Sequence, residues 1–266
     1  MAIHPTAIID PQATLGEVEI GPYAVIGAGV TLADGVKVGP HAVLMGKLSV
    51  GQGTVIHAHA SVGGDPQDLK YAGEPTELII GENNTIREYV SINRGTAKGG
   101  GVTRVGNDNL LMANSHVGHD CVVGNGCVLA NSVALAGHVQ IGDGAVLGGL
   151  AGVHQHARIG RFAMVGAGAM VSLDVPPFCM AQGDRARLFG LNIIGLRRAG
   201  MGADVLAELR AAYRELFRSS TPLRIAADKL PADFPNSPQV AELAEFIEHS
   251  TRGICRATAS EATDGR

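Results

Sequence analysis

Aliphatic residues recur along this chain at a fixed interval of six. From Val105 every sixth position is aliphatic: Leu111, Val117, Val123, Leu129, Leu135, Ile141, Leu147, Val153, Ile159, Val165 and Val171. An earlier run passes from Ile20 through Ile26, Leu32, Val38, Leu44, Val50 and Ile56 to Val62, and a short one joins Ile80, Ile86 and Ile92. Glycine often follows the aliphatic residue, as at Gly21, Gly39, Gly106, Gly118, Gly124, Gly142 and Gly160. A period of six fits neither the 3.6 of an α-helix nor the 2 of a long strand. It fits a short strand, a turn, another short strand and another turn, with glycine where a Cβ would be costly. Three hexads per coil give a triangular prism whose coils stack about 4.8 Å apart. About 26 hexads, or nine to ten coils, are available, enough for a solenoid to bury a continuous core.

Two stretches interrupt the repeat, at 63–79 (GGDPQDLKYAGEPTELI, with its flanks) and 93–104 (NRGTAKGGGVTR). Both are polar and rich in Gly or Pro and read as loops projecting from a rigid scaffold, where sites tend to be built. The pattern stops at Asp174-Val175-Pro176-Pro177, so the solenoid is expected to occupy 1–183. A helical domain is expected over 184–256, the periodicity turning helical from about Leu191, in MGADVLAELRAAYRELFRSS and SPQVAELAEFIEHSTRGI, with Asp204 and Ser237 as expected N-caps. The final residues, 257–266, are polar and expected to be disordered.

Composition narrows the reading without changing it. Thirty-seven glycines and only 4% aromatic residues suit many tight turns around a narrow aliphatic core. A net charge of −4 gives no reason to expect nucleic acid as partner. No apolar run approaches a spanning helix, and the N-terminus has no signal-peptide pattern, so a cytoplasmic protein is expected. The four cysteines show no metal-ribbon spacing, and Cys121 and Cys127 lie one repeat apart, which suits buried packing.

Histidines cluster in the repeat. With 18-residue coils, His119 and His138 should lie on adjacent coils at one edge, with His154 close to the same edge, and His116 flanks a turn beside His119. Surface turn residues, a zinc site and general-base catalysis are all compatible with that column. A carboxylate beside an imidazole, as in His119-Asp120, fixes its tautomer and raises its basicity. Glycine-rich turns supply backbone N–H donors for an oxyanion.

The motifs PQDLKYAGEPT, NRGT, HVGHDC, LAGH, VHQ, DVPPF and LNIIGLRR, in this order, resemble those of the UDP-N-acetylglucosamine O-acyltransferases of lipid A synthesis, over nearly the whole chain. The resemblance implies a left-handed parallel β-helix with a helical C-terminal domain. It implies a homotrimer that takes a 3-hydroxyacyl chain from acyl carrier protein to the 3-position of the sugar nucleotide. It assigns His119 as base with Asp120, Gly137 as oxyanion donor and His138 beside it. Asp68, Lys70, His116, His154, Gln155, Asn192 and Arg198 would contact substrate, and Ala167 would bear on acyl length. No metal or organic cofactor is implied beyond the donor's phosphopantetheine. Between Gly183 and Arg224 stand eight Arg, no Lys and four acidic residues, a surplus that suits an acidic carrier protein. Asn93 and Ile194 depart from the family's commoner His and Glu, which leaves open a 3-amino sugar as acceptor. A zinc carbonic anhydrase on the same prism and a sister N-acyltransferase are the rival readings.

Overall fold

In the computed structural model, which describes residues 2–258, the six-residue period becomes three flat faces of two- to five-residue strands. The first face holds eleven strands, running from Ala2–Ile3 to Cys179–Gln182 and ending on Arg187–Leu191. The second holds nine, from Ile8–Ile9 to Met170–Val171, and the third eight, from Thr14–Leu15 to Arg158–Ile159. Every pairing within the faces is parallel except the last, Cys179–Gln182 with Arg187–Leu191. In the regular coils the register advances by 18, as in Leu110↔Val128 and Val128↔Val146.

All the hexad aliphatics point inward, and from Ile20 to Val171 each is at most 4% exposed. The core they form is one column, closed at the C-terminal end by a second cluster built on Phe178, Leu196, Leu209, Leu230, Leu243 and Ile247. Where the column meets the corner between the third and first faces it turns polar. There Asn84 N–H donates to Thr54 Oγ1 (3.2 Å), Asn109 N–H to Asn84 Oδ1 (3.0 Å) and Cys127 N–H to Asn109 Oδ1 (2.7 Å). These side chains are essentially unexposed, and each supplies the neighbouring coil with the acceptor it needs. The cysteines are all free and buried, and burial pushes the Cys121 thiol up to about 12 and those of Cys127 and Cys255 to about 11.

The hexad glycines serve close approach between coils rather than unusual backbone angles. A Cβ on Gly118 would stand 2.8 Å from the carbonyl oxygen of Leu135, and one on Gly142 2.6 Å from Arg161 N. The left-handed positions come two residues later, and fourteen of those described are not glycine, among them Asp120, His138 and His156. Asp, Asn and His tolerate that region better than most residues.

Both loops leave the same corner, between the second and third faces. The first follows Ser61–Gly64 and returns at Glu77–Ile80; the second follows Ser91–Asn93 and returns at Val102–Val105, so strands take the ends of both predicted loops. The first coil is lengthened to a step of 30 (Val55↔Thr85) and the second to 25 (Thr85↔Leu110). Inside the second loop, Ala97–Gly99 forms one 3₁₀ turn capped by Thr96.

Ile159 bridges Val175 just before the Pro pair, and past it Met164 pairs with Met180, so the last parallel strand, Cys179–Gln182, lies inside the expected 1–183. The stretch expected to be helical from 184 opens with the strand Arg187–Leu191, and helices follow as α1 (Ile193–Arg198), α2 (Ala203–Arg218), α3 (Leu223–Asp233) and α4 (Pro238–Glu248). Helix α3, which carries Pro231, was not legible from the pattern. Asp204 lies in the first turn of α2, where its charge suits the helix dipole, while Gly202 is the N-cap. Ser237 does precede α4, without a side-chain capping bond. Ala257 and Thr258 are tied to Leu188, contrary to the expected disorder, and 259–266 fall outside the described residues. No described helix is long and apolar enough to cross a membrane.

Candidate active site

The corner that emits both loops also carries His119, Asp120, Gly137, His138, His154, Gln155 and His156, on successive coils. Its centre is the Asp120 carboxylate, whose side chain is 1% exposed. Oδ1 accepts the Thr96 N–H (2.8 Å), and Oδ2 accepts the Thr96 hydroxyl (2.7 Å) and His119 Nδ1–H (2.8 Å). Its own N–H donates to Thr103 Oγ1 (2.8 Å). The second loop therefore folds over the carboxylate, and Gly99 packs so closely that a Cβ there would meet it at 2.1 Å. A carboxylate held by three donors is a strong acceptor that keeps the proton of His119 on Nδ1. Nε2 is then left with its lone pair.

The His119 ring lies against Gly137. A Cβ on Gly137 would come within 2.5 Å of Cε1 and 2.7 Å of Nε2, so only glycine leaves the ring in place. No described group accepts the Gly137 N–H, while its carbonyl accepts from His156. The corner thus places a base nitrogen and a free backbone donor side by side, the pairing that acyl transfer requires.

The histidine column exists, with one substitution. His138 meets His119 edge-on (5.1 Å between centroids), but the ring stacked on its other side is His156 (4.4 Å). His154, expected near this edge, turns away to Arg252 (2.8 Å) because only an exact 18-residue step keeps the same position in the turn. Burial holds His138 below its ordinary value of 6.5, with Asp120 opposing and His156 and His119 assisting. His116, on the second face, is likewise lowered by burial and then by His119, while its Nδ1 contacts Ser91 Oγ (2.7 Å).

Other predicted residues divide by location. Asp68 and Lys70 stand on the first loop, where Asp68 Oδ1 accepts the Lys70 N–H (3.0 Å) and the Asp68 charge reaches His138. His116 and His154 line a groove of about 680 Å³ across the second face, with Ala134, Ala136, Gly152, Met170 and Arg185. Ala167 is exposed on the turn preceding that face and does not line the groove. Asn192 caps α1 through Gly195 N–H (3.1 Å) and donates to Phe162 O (3.0 Å), and Arg198 ends the same helix. These last two belong to the corner between the third and first faces, so one chain does not bring them to His119.

Sequence reasoning missed the groups that hold the corner together. Arg94 donates to Gly63 O, Asp65 and, at 3.1 Å, Tyr71 Oη, and Asn93 donates to Asp65 O (2.7 Å), so the end of the strand Ser91–Asn93 and the residue after it clamp the first loop. Asn93 is thus a loop anchor, and Ile194 is exposed on α1. Thr96 and Arg94 sit in NRGT, but the seven extra residues of one coil hide the pairing of Thr96 with Asp120, and the twelve of the coil before it hide that of Arg94 with Asp65, from any count in eighteens.

Among the described residues one group is spaced to ligate a cation, His119, Asp120 and His138, with ligand atoms within 4.8 Å. The Asp120 oxygens there already accept three hydrogen bonds, one of them from His119 Nδ1–H, which orients the imidazole.

A prism of hexapeptide coils with a His–carboxylate pair at one corner defines a hexapeptide-repeat transferase. The profile for bacterial transferase hexapeptides (six repeats) matches residues 103–137, and that for Udp N-acetylglucosamine O-acyltransferase, domain 2, matches 174–255. The acyl-[acyl-carrier-protein]–UDP-N-acetylglucosamine O-acyltransferase of Myxococcus xanthus is 52% identical over 255 residues, covering 96% of this chain and 99% of its own. That of Thermodesulfovibrio yellowstonii is 47% identical with the same coverage. LpxA from Acinetobacter baumannii superposes with a TM-score of 0.94 at 44% identity, over 96% of this chain and 100% of its own. The chain belongs to the UDP-N-acetylglucosamine O-acyltransferase family: it is an enzyme, and its prism is the left-handed β-helix.

Proposed function

We propose that this enzyme, as a cytoplasmic homotrimer, moves a 3-hydroxyacyl chain from acyl carrier protein to the 3-hydroxyl of UDP-N-acetylglucosamine in lipid A biosynthesis. The observation that carries the reading is the pairing of His119 with the enclosed Asp120 carboxylate against the Gly137 N–H. His119 Nε2 takes the proton of the sugar hydroxyl as its oxygen attacks the thioester carbonyl. The oxyanion of the tetrahedral adduct accepts the Gly137 N–H. Collapse breaks the C–S bond, and the phosphopantetheine thiolate takes the proton back from His119. Asp120 stabilises the imidazolium in between, and general-base assistance of this kind contributes about 10²–10⁴-fold. His138, Asp68 and Lys70 flank this centre on the sugar-nucleotide side, while the groove past His116 and His154 takes the donor.

The trimer is proposed because Asn192 and Arg198 stand at another corner from His119. Three prisms around a threefold axis set one chain's helical end beside the next chain's loop corner. The Arg surplus of residues 183–224 offers a surface for the acidic carrier.

The test is product mass from 3-hydroxyacyl carrier proteins of graded chain length with UDP-N-acetylglucosamine or its 3-amino analogue. An ester on the natural sugar, lost in His119→Ala, is the expected result. Amide formed only on the analogue would move the acceptor, and stoichiometric zinc whose chelation abolishes activity would overturn the base mechanism.

A further inference from the structure

The loop corner has a rung that the prism does not supply. Asp120, His138, His156 and Asp174 follow one another there at intervals of eighteen. Above Asp174 the next strand comes from the segment after α4, where Ile254 bridges Asp174 in parallel. Asp174 N–H donates to Gly253 O (2.8 Å), Cys255 N–H to Asp174 O (2.9 Å), and Ser250 Oγ to Asp174 Oδ2 (2.7 Å). Asp174 is fully buried, and its Oδ1 accepts from Arg158 N–H (2.9 Å), so the segment is fixed on the corner.

From that segment Arg252 reaches back one coil. Its Nε donates to Ser172 O (2.6 Å), and its Nη2 lies 2.8 Å from His154 Nδ1. The same Nδ1 is 3.1 Å from Gln155 O, and the two contacts ask for opposite protonation. A guanidinium has only donors to offer, so Nδ1 must accept, and the Gln155 contact carries no proton. The ring proton is thereby placed on Nε2, on a residue that lines the groove with His116.

We infer that Arg252 is a positioning residue that holds His154 as an Nε2–H donor toward an acceptor oxygen of the substrate in that groove. The inference rests on the reading of His154 as a substrate contact. It gives the helical end of the chain a direct task at the loop corner of the same subunit. The contact is made by a segment that follows α4 in the chain, so it is the packing of the helical end on the prism that brings Arg252 to a residue of the groove wall.

The experiment uses full-length trimer labelled with ¹⁵N in histidine and solid-state NMR at pH 8, with His154 assigned by its loss in His154→Gln. The expected spectrum has an unprotonated Nδ1 and a protonated Nε2 for His154. In Arg252→Met the two nitrogens should move toward a tautomer mixture, and Arg252→Lys should recover part of the shift. In parallel, Arg252→Met should lower kcat/KM about tenfold, the scale of one hydrogen bond, with no further loss in the double variant with His154→Gln. A protonated Nδ1 in the parent enzyme, or a spectrum unchanged in Arg252→Met, overturns the positioning role. Full activity in His154→Gln, with the tautomer as expected, overturns the substrate contact alone.

Discussion

Residue by residue, the chemistry rests on how few groups surround Asp120 and how completely they use it. Thr96→Val removes one donor from Oδ2 while leaving the backbone contact to Oδ1. Thermal melts should show a cost of about 1 kcal/mol, and initial rates should fall more than substrate KM changes, because the loss bears on the His119 proton. Gly137→Ala is the sharper test of geometry. Its Cβ would overlap the His119 ring, so kcat should drop by at least about tenfold while far-UV circular dichroism stays unchanged. The histidines also set a pH limit. His116 and His138 are both lowered by burial from an ordinary 6.5, so the unfolded chain binds more protons in the range just below that value. Stability is therefore full above about pH 6.5 and is lost as pH falls from there toward the folded-state values. Melting points between pH 5 and 7.5 should show this slope, and His116→Gln should flatten it.

At the scale of elements, the faces were legible because each aliphatic position reports directly on the core. The same count placed His119 beside His138. It failed where the step is not eighteen. His154 misses the column by two residues, and Ser91, twenty-five before His116, is its partner across the lengthened coil. The clamp between the loops escaped notice for the same reason, since Arg94 and Asp65 meet across an insertion with no period. Helix α3 escaped because its apolar face is weak and Pro231 interrupts it. The clamp itself is testable. Arg94→Ala leaves the Gly63 carbonyl without its donor and frees the first loop, at a cost of about 1–3 kcal/mol. Sugar-nucleotide KM should rise, whereas the KM for the acyl donor should change little.

For the whole molecule, the separation of Arg198 from His119 within one chain has a quantitative consequence. Inactive His119→Ala and Arg198→Ala chains, unfolded and refolded together in equal amounts, should regain activity if each site draws on two chains. Random assembly gives about one quarter of parental activity, because that fraction of sites pairs an intact His119 with a neighbour's intact Arg198. Refolded mixtures that stay inactive, with trimers shown by sedimentation, would falsify the shared site.

Prism strands that pair along the axis, each with the coil above and the coil below, make that axis a scale with fixed graduations. Each added coil lifts everything beyond it by about 4.8 Å, whereas a one-residue slip within a strand turns its inward aliphatics outward and an added hexad moves every later residue to another face. The span from the Asp120 rung to the Asp174 rung, and with it the reach of Arg252 to His154, can therefore change only in whole graduations. A variant with one 18-residue coil duplicated between His138 and Asp174 should fold, keep the His119 pair and extend the groove by one step. The length of chain that such a protein can handle is digital before it is tuned by any side chain.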